Sequence, residues 1–185
     1  MLKCARESRS AALLCIGMQQ PRNGSGNPDV AAIAACRHLL AYARALGWTV
    51  IHSHSRGELG AYAAAPVTQS IPGLEPLPSE PVHLQAGLSA LNARVLDLLD
   101  SRCEEDIWLA GFLTPPCLLS TLLAGVERGL RIGVVADATC IFGNDGMPSN
   151  ELRGILARLT PSPAHWTNTA EIFRTGAFRL AANQP

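Results

Sequence analysis

The fold of this chain is decided by the stretch from Ile107 to Thr139, which reads IWLAGFLTPPCLLSTLLAGVERGLRIGVVADAT. Two short apolar runs in it, Ile107 to Ala110 and Ile132 to Ala136, have the composition of buried parallel strands. Between them, a helical segment begins near Pro115 and ends before Gly129. A strand, a helix and a second parallel strand in this order form a unit whose crossover is almost always right-handed. The stretch therefore predicts an α/β protein.

The same alternation continues on both sides of that stretch. Apolar runs at Ala11 to Ile16 and Thr49 to Ile51 predict two more strands, with a helix between them that starts after Asp29 and stops at Gly47. The repetition predicts a three-layer α/β/α fold with a doubly wound, mostly parallel sheet of about six strands. The other predicted elements are a short strand at Val82 to Leu84, helices at Ser89 to Asp100 and Ser149 to Leu159, and a last strand at Ala170 to Arg174.

Composition and charge restrict the partners of the chain. A length of 185 residues fits a single domain over residues 1–185. Fifteen Lys plus Arg against fifteen Asp plus Glu give a formal net charge of zero, so we predict neither a nucleic-acid nor a membrane partner. The apolar runs are far shorter than the ~20 residues that span a bilayer. Six scattered cysteines and no signal-peptide pattern predict a cytoplasmic protein with free thiols.

Two segments lack a regular hydrophobic period. Residues 1–10 are polar, and we interpret them as an N-terminal extension. Residues 56–85 contain five prolines, which predicts a long loop or lid that ends in the short strand. Long ordered loops in compact domains are often functional, so we expect this one to shape a ligand site.

Ligands of open parallel sheets bind at the carboxyl ends of the strands. Residues that directly follow the predicted strands are therefore the first candidates for a functional site. They are Gly17, Met18 and Gln19 after the first strand, His52, His54 and Arg56 after the second, the segment from Gly111 to Cys117, and Asp137.

Cys117 has the most specific local setting among these candidates. With Thr114 as the N-cap, Pro115 and Pro116 would be the first two residues of a helix and Cys117 the third. The helix dipole there favours a thiolate of lowered pKa, and the Cys117 amide faces a reacting oxygen unless the Thr114 hydroxyl occupies it. A cysteine beside residues such as Leu118 is nevertheless more often buried filler, and spacing alone favours that interpretation.

The same stretch resembles the isochorismatase-like cysteine hydrolases, which include isochorismatases, nicotinamidases and N-carbamoylsarcosine amidases. In that family a strand leads to G-x-x-T-x-x-C, then to a helix that carries a threonine, and then to an R-G strand that ends in D-A. The resemblance covers about Ala11 to Arg174 and implies a small-molecule substrate, no cofactor and a homodimer or homotetramer. The matching positions are Gly111, Thr114, Cys117, Thr121, Arg128, Gly129, Asp137 and Ala138, with Met18, Gln19, Ser89 and Ala90 upstream.

The resemblance also implies which residues carry the chemistry. Family members that act on amides use an aspartate as base, a lysine that supports the charges and a cysteine as nucleophile. Cys117 matches the cysteine, whereas the aspartate position is Gly17 and the lysine position is Gln85. Glycine cannot move a proton and glutamine carries no charge, so ordinary family chemistry is in doubt. The backbone of Leu113, Thr114 and Cys117 is the expected oxyanion site.

His52 and His54 are the candidates to replace the missing base. They lie two residues apart, so their side chains share one side if the second strand continues through them. One imidazole would then accept the proton of Cys117, although the commoner role for such residues is that of polar side chains at a strand end. Nicotinamidase-like relatives bind a metal near this position through an aspartate and histidines. The Asp-x-His pattern is absent here, and we predict no metal.

Two further features are interpreted through the resemblance. The D-A pair of the family is structural, so Asp137 is expected to hold a neighbouring loop through hydrogen bonds. Some family members have a cis peptide before the threonine, which corresponds here to the bond between Leu113 and Thr114. The sequence leaves the geometry of that bond open.

Two functions remain from these patterns. The first is hydrolysis of a small amide or other C–N bond through an acyl-enzyme at Cys117, with an altered base. The second is a catalytically silent family member that serves as a binding or assembly module, since two of three catalytic positions are substituted. An unrelated flavodoxin-type protein, the alternative to both, is disfavoured because the glycines that would bind a phosphate lie far from the end of the first strand.

Overall fold

The computed structural model of the protein describes residues 11–20, 29–55, 69–102, 104, 106–142 and 147–182. The predicted N-terminal extension, Arg56 and the part of the predicted lid from residue 56 to 68 lie outside the described residues. None of the described helices has the length and apolar character needed to cross a membrane.

The described residues form one six-stranded parallel sheet with helices between the strands. The strands lie side by side in the order β3-β2-β1-β4-β5-β6, and every neighbouring pair is parallel. The prediction of a three-layer α/β/α fold is therefore confirmed. The elements are β1 (Ala11–Ile16), α1 (Val30–Ala45), β2 (Thr49–Ser55), β3 (Val82–Gln85), α2 (Ala93–Arg102), β4 (Asp106–Leu113), α3 (Pro115–Glu127), β5 (Arg131–Ile141), α4 (Ser149–Leu159), β6 (His165–Thr167) and α5 (Thr169–Ala182).

Two hydrophobic cores lie on the two faces of the sheet. Leu14 of β1 faces the core built with α2, α3 and α4, which also contains Cys117. Leu13, the preceding residue, faces the core built with α1 and α5. Successive residues of a strand point to opposite faces, so this alternation assigns each side chain of the neighbouring strands to one core. In particular, Cys15 pairs with His52 and belongs to the α1 face.

A bulge in β5 changes the direction of the residues next to Ala136, where the strand was predicted to end. Leu109 pairs with Val134 and Gly111 pairs with Thr139, so two steps along β4 correspond to five along β5 and leave three extra residues in β5. Asp137 lies within this bulge. Bulges of this kind bend a strand and redirect a side chain without ending the sheet. The strand consequently runs five residues beyond its predicted end.

The predicted strand at Ala170 to Arg174 is wrong, because that segment lies in helix α5. The Asp137 carboxylate accepts hydrogen bonds from the backbone N–H of Thr169 (2.9 Å) and from its hydroxyl (2.5 Å). The Asn168 side chain accepts from the N–H of Glu171 at 2.9 Å. These acceptors satisfy donors of the first helical turn, which have no partner inside the helix. The expected structural role of Asp137 thus takes the form of a helix start.

Two glycines lie where the chain at the end of β1 and the backbone of β4 come into close contact. Gly111 has φ +124°, and a side-chain carbon added there would overlap the carbonyl oxygen of Ile16. Gly17 has φ +61°, and an added carbon would overlap the carbonyl oxygen of Phe112. Both backbone conformations are ones that residues with a side chain rarely adopt. Each glycine therefore allows the other strand's backbone to come near.

Gly111→Ala is expected to lower the free energy of unfolding by at least about 2 kcal/mol, because it combines a disfavoured φ with a steric overlap. Urea denaturation measures this change. Gly154→Ala is the matched control, since the added carbon on α4 meets nothing within 4 Å. It is expected to stabilise the helix by about 0.5–1 kcal/mol. Equal changes in the free energy of unfolding for the two substitutions would contradict this account of the close contact between β1 and β4.

Candidate functional site at the carboxyl edge of the sheet

Cys117 is the third residue of helix α3, directly after β4. Thr114 is the N-cap in an extended conformation, and Pro115 and Pro116 fill the first two helical positions. The prolines have no N–H, and the Thr114 side chain makes no capping hydrogen bond. The first helical bond runs from the N–H of Leu118 to the Thr114 carbonyl at 3.1 Å. The threonine hydroxyl therefore does not occupy the Cys117 amide.

The peptide between Leu113 and Thr114 is trans. Among the described residues, the one cis peptide is that between Ser162 and Pro163. The alternative of a cis bond before the threonine, which the sequence left open, is thereby excluded.

Gln85 is the hydrogen-bond donor that the structure places against the Cys117 thiol. Its Nε2 lies 3.3 Å from Cys117 Sγ and 2.6 Å from the carbonyl oxygen of Leu88. Both N–H bonds of the amide are thus directed, one to the sulfur and one to the backbone. Two of the three positions named by the family resemblance are in contact, although one of them holds a neutral amide in place of a lysine.

Thr121 supports the same thiol from one turn further along α3. Its hydroxyl donates to the Cys117 carbonyl at 2.7 Å and accepts from the Ala90 N–H at 2.9 Å. It therefore fixes the segment after β3 against the start of the helix. The sequence showed Thr121 only as a family match, and no local signal distinguished it from an ordinary helix residue.

The thiol of Cys117 is held in its protonated form. The side chain belongs to the core and is 7% exposed. Burial raises the pKa of the Cys117 thiol above its ordinary value of 9.0, and the hydrogen bond from Gln85 lowers it only in part. The lowered pKa expected from the helix start is therefore wrong, because burial of the sulfur is the largest influence on the thiol pKa.

The position of the family's aspartate is closed to any side chain. Gly17 donates its N–H to the Ser53 carbonyl at 2.9 Å and lies against the backbone of Phe112. An aspartate cannot enter here without displacement of β1 or β4. The absence of an acid is thus part of the backbone geometry as well as of the sequence.

His52 and His54 lie on β2 with their side chains on the α1 face of the sheet. His52 pairs with Cys15, and its Nε2 lies 3.0 Å from an oxygen of Glu80. His54 follows Ser53, the residue of β2 that is hydrogen-bonded to Gly17. It is 5% exposed, and neither of its ring nitrogens has a hydrogen-bond partner among the described residues.

Burial lowers the pKa of both imidazoles, which favours their neutral forms. The hydrogen-bond partner described for the Cys117 sulfur is Gln85, so neither ring is bonded to the thiol in this conformation. Both rings lie on the α1 face, whereas Cys117 belongs to the core on the other face, so the structure does not bring either imidazole together with the thiol.

Glu80 and Arg44 are polar residues of this region that the sequence did not single out. Glu80 lies in the proline-rich segment before β3, where nothing periodic marks it, and it binds both Arg44 and His52. Within the described ranges, no group of three His, Cys, Asp or Glu side chains has the geometry of a metal site.

Comparison with known proteins gives a consistent family. The isochorismatase domain profile matches residues 11–160. An isochorismatase from Pseudomonas putida is 26% identical, with a TM-score of 0.72 over 88% of this chain and 90% of that one. A putative hydrolase of the isochorismatase family from Chromobacterium violaceum is 24% identical, with a TM-score of 0.75 over 90% and 93%.

A more distant structural likeness is the MAR1 ribonuclease of Caenorhabditis elegans. It is 20% identical, with a TM-score of 0.67 over 86% of this chain and 77% of that one. At this identity the likeness concerns the fold. Comparison with curated proteins gives no match.

Gly17→Asp is expected to lower the free energy of unfolding by about 2 kcal/mol or more, since it adds a side chain at a positive φ against the Phe112 carbonyl. It is also expected to leave the iodoacetamide reactivity of Cys117 at neutral pH no higher than in the original protein. Urea denaturation and thiol alkylation measure the two effects. Gly154→Asp, on the exposed side of α4, is the control for the added charge. A stable Gly17→Asp protein with a faster thiol would disprove the closure of this position.

Gln85→Leu is expected to raise the thiol pKa of Cys117 further, because it removes the donor that stabilises the thiolate. In the original protein that pKa already lies above 9.0, so alkylation should accelerate with pH up to and beyond that value. Gln85→Lys should shift the same pH profile downward, because a nearby positive charge favours the thiolate. The pH dependence of alkylation by iodoacetamide tests all three forms. If the three forms had the same pH profile of alkylation, Gln85 would have no influence on the thiol pKa.

Proposed function

Because this chain belongs to the isochorismatase domain family, we propose that it hydrolyses a small amide or other C–N bond through Cys117, with an altered base. The observation that carries the proposal is the hydrogen bond from the Gln85 amide to Cys117 Sγ at the start of α3, beside the Cys117 amide, which the Thr114 hydroxyl does not occupy. A nucleophile, a donor to its charged form and a donor for an oxyanion are thus gathered at one point.

His54 is the base that fits this proposal best. It is neutral, its two nitrogens are unpartnered, and it lies beside Gly17, where the family's aspartate would stand. It lies one residue before the end of β2, at the edge where the two faces of the sheet meet. Its side chain lies on the α1 face and Cys117 belongs to the core on the other face, so proton transfer between them has to pass through bridging water around this end of β2.

The reaction then follows from these groups. His54 accepts the thiol proton, and the Cys117 sulfur attacks the carbonyl carbon while the π electrons move to the oxygen. The Cys117 N–H stabilises that oxyanion. Collapse of the intermediate breaks the C–N bond, and the imidazolium gives its proton to the departing amine. Water, deprotonated by the imidazole, attacks the thioester and releases the carboxylic acid and the thiol.

Turnover at this site is expected to be slow. A thiol pKa above 9.0 leaves roughly 1% or less of the sulfur ionised at pH 7. The missing aspartate also removes a preformed contact between base and nucleophile. Rates near those of an intact triad are therefore not expected, because proton transfer has to pass through bridging water.

A second candidate function is a silent member that binds a small molecule without turnover. It is favoured by the Gly17 backbone, which excludes an acid, and by the buried, protonated thiol. The ribonuclease activity in the name of the worm protein is not carried over, because the shared feature is the fold and this chain has a formal net charge of zero.

Hydrolysis of a panel of small primary amides and N-carbamoyl compounds tests the proposal. Cys117→Ala is expected to abolish release of amine or ammonia, and His54→Gln to lower kcat about a hundredfold. An acid quench followed by mass spectrometry should detect the thioester on Cys117. His38→Gln, at an exposed position of α1, is the control and should leave the rate unchanged.

Two outcomes would contradict the proposed hydrolysis through Cys117. Turnover that survives in Cys117→Ala would reject the nucleophile. Ligand binding by calorimetry without any Cys117-dependent turnover across the panel would favour the silent member.

A further inference from the structure

A partly buried ionic cluster lies on the opposite side of β2 from the thiol. Glu80 accepts two hydrogen bonds from Arg44, at 2.7 and 2.8 Å, and one from the N–H of Leu77 at 2.9 Å. Its fourth contact is His52 Nε2 at 3.0 Å. The Glu80 side chain is 8% exposed, so a carboxylate is here withdrawn from water and fully bonded. We call these three residues, Arg44, His52 and Glu80, the Glu80 cluster.

The charges of the Glu80 cluster are complementary. Burial raises the pKa of the Glu80 carboxyl, but the hydrogen bonds from Arg44, Leu77 and His52 outweigh it and hold the pKa below its ordinary value. Glu80 is therefore ionised at neutral pH and paired with Arg44. Removal of one partner from such a pair leaves an uncompensated buried charge, so the cluster is a firm anchor for the segment that carries Glu80.

The strand that follows Glu80 has little else to determine its register. β3 has four residues, lies at the edge of the sheet and pairs, among the described residues, only with β2. Its apolar residues are the more exposed ones, with Val82 at 44% and Leu84 at 38%. Register is strongly specified only where one face of a strand is buried and apolar. A slip of one residue would turn Gln85 away from Cys117 to the other face of the sheet.

The Glu80 cluster supplies the missing specification. His52 holds two consecutive residues before β3: its ring binds the Glu80 carboxylate, and its N–H donates to the Pro81 carbonyl at 2.9 Å. Arg44 ties the same carboxylate to α1 and also donates to the Glu75 carbonyl at 2.8 Å. β2 and α1 thus fix where β3 begins, and the position of Gln85, the fourth residue of β3, follows from it.

We propose that the Glu80 cluster is a register clamp that positions Gln85 against the Cys117 sulfur, which makes Glu80 and Arg44 positioning residues for the thiol. The inference deepens the proposed function and rests on it for any effect on turnover. The contact between Gln85 and the sulfur, however, exists without a substrate, and the test below uses the thiol alone.

The test is a double-mutant cycle on the reactivity of Cys117 toward iodoacetamide, measured as a pH profile in the folded full-length chain. Glu80→Gln is expected to shift the thiol pKa upward by about one unit, as Gln85→Leu does, and to slow alkylation at pH 8 about tenfold. In the Gln85→Leu background, Glu80→Gln should cause no further shift, because its effect passes through Gln85. A Cys117→Ala protein supplies the background from the other thiols.

Glu75→Gln is the matched control. It removes a carboxylate of the same segment whose described side-chain bond is to the Gly73 amide, and it should leave the profile unchanged. If Glu80→Gln does not fold, as judged by circular dichroism, Arg44→Gln weakens the cluster from the helix side and replaces it in the cycle.

The clamp is overturned if either folded variant has the original profile, or if its shift adds fully to that of Gln85→Leu. Because the alkylation test involves no substrate, its result can be interpreted even if no hydrolysis is found. If the original protein hydrolyses a substrate but the folded Glu80→Gln variant keeps the original pH profile of alkylation, the register clamp is rejected and the proposed function is not.

Discussion

The close approach of the central strands β1 and β4 constrains everything at the carboxyl edge of the sheet. Gly111 accommodates the Ile16 carbonyl, and Gly17 accommodates the Phe112 carbonyl, so each strand lies in the space that the other's side chain would need. Gly111 lies two residues before the end of β4, and helix α3 with Cys117 follows directly after Thr114. The same geometry excludes a side chain at Gly17. The backbone itself therefore excludes an acidic side chain at position 17.

The two departures from the family pattern are also linked by charge. An aspartate and a lysine near a buried thiol compensate each other, and removal of one leaves an unpaired charge that costs several kcal/mol. Glycine at 17 and glutamine at 85 remove both charges and keep the site neutral. The protonated thiol is consistent with that neutrality. The two substitutions thus amount to one electrostatic change, and the double loss by itself does not distinguish an inactive protein from one with a different base.

The parts of this fold that the sequence predicts are those with local causes. The strand-helix alternation follows from apolar periodicity, and Thr114 with two prolines marks the start of α3. The parts it misses depend on contacts between distant residues. The helix at Thr169 begins because Asp137, 32 residues earlier, caps it from a bulge. Glu80 is distinguished only by its hydrogen bonds to Arg44 of α1 and His52 of β2, which are far from it in the sequence. The thiol pKa likewise depends on burial, which no spacing in the sequence measures.

The neutral Gln85 amide makes a protonated resting thiol compatible with the proposed nucleophilic role of Cys117. A neutral amide donates a modest hydrogen bond to a thiol and a much stronger, charge-assisted one to a thiolate. Its contribution is therefore small in the resting protein and large once the proton has left. Only interactions that strengthen toward the transition state accelerate a reaction. A lysine would stabilise the thiolate already at rest, at the cost of a buried charge, whereas Gln85 favours the charge at the moment when it forms.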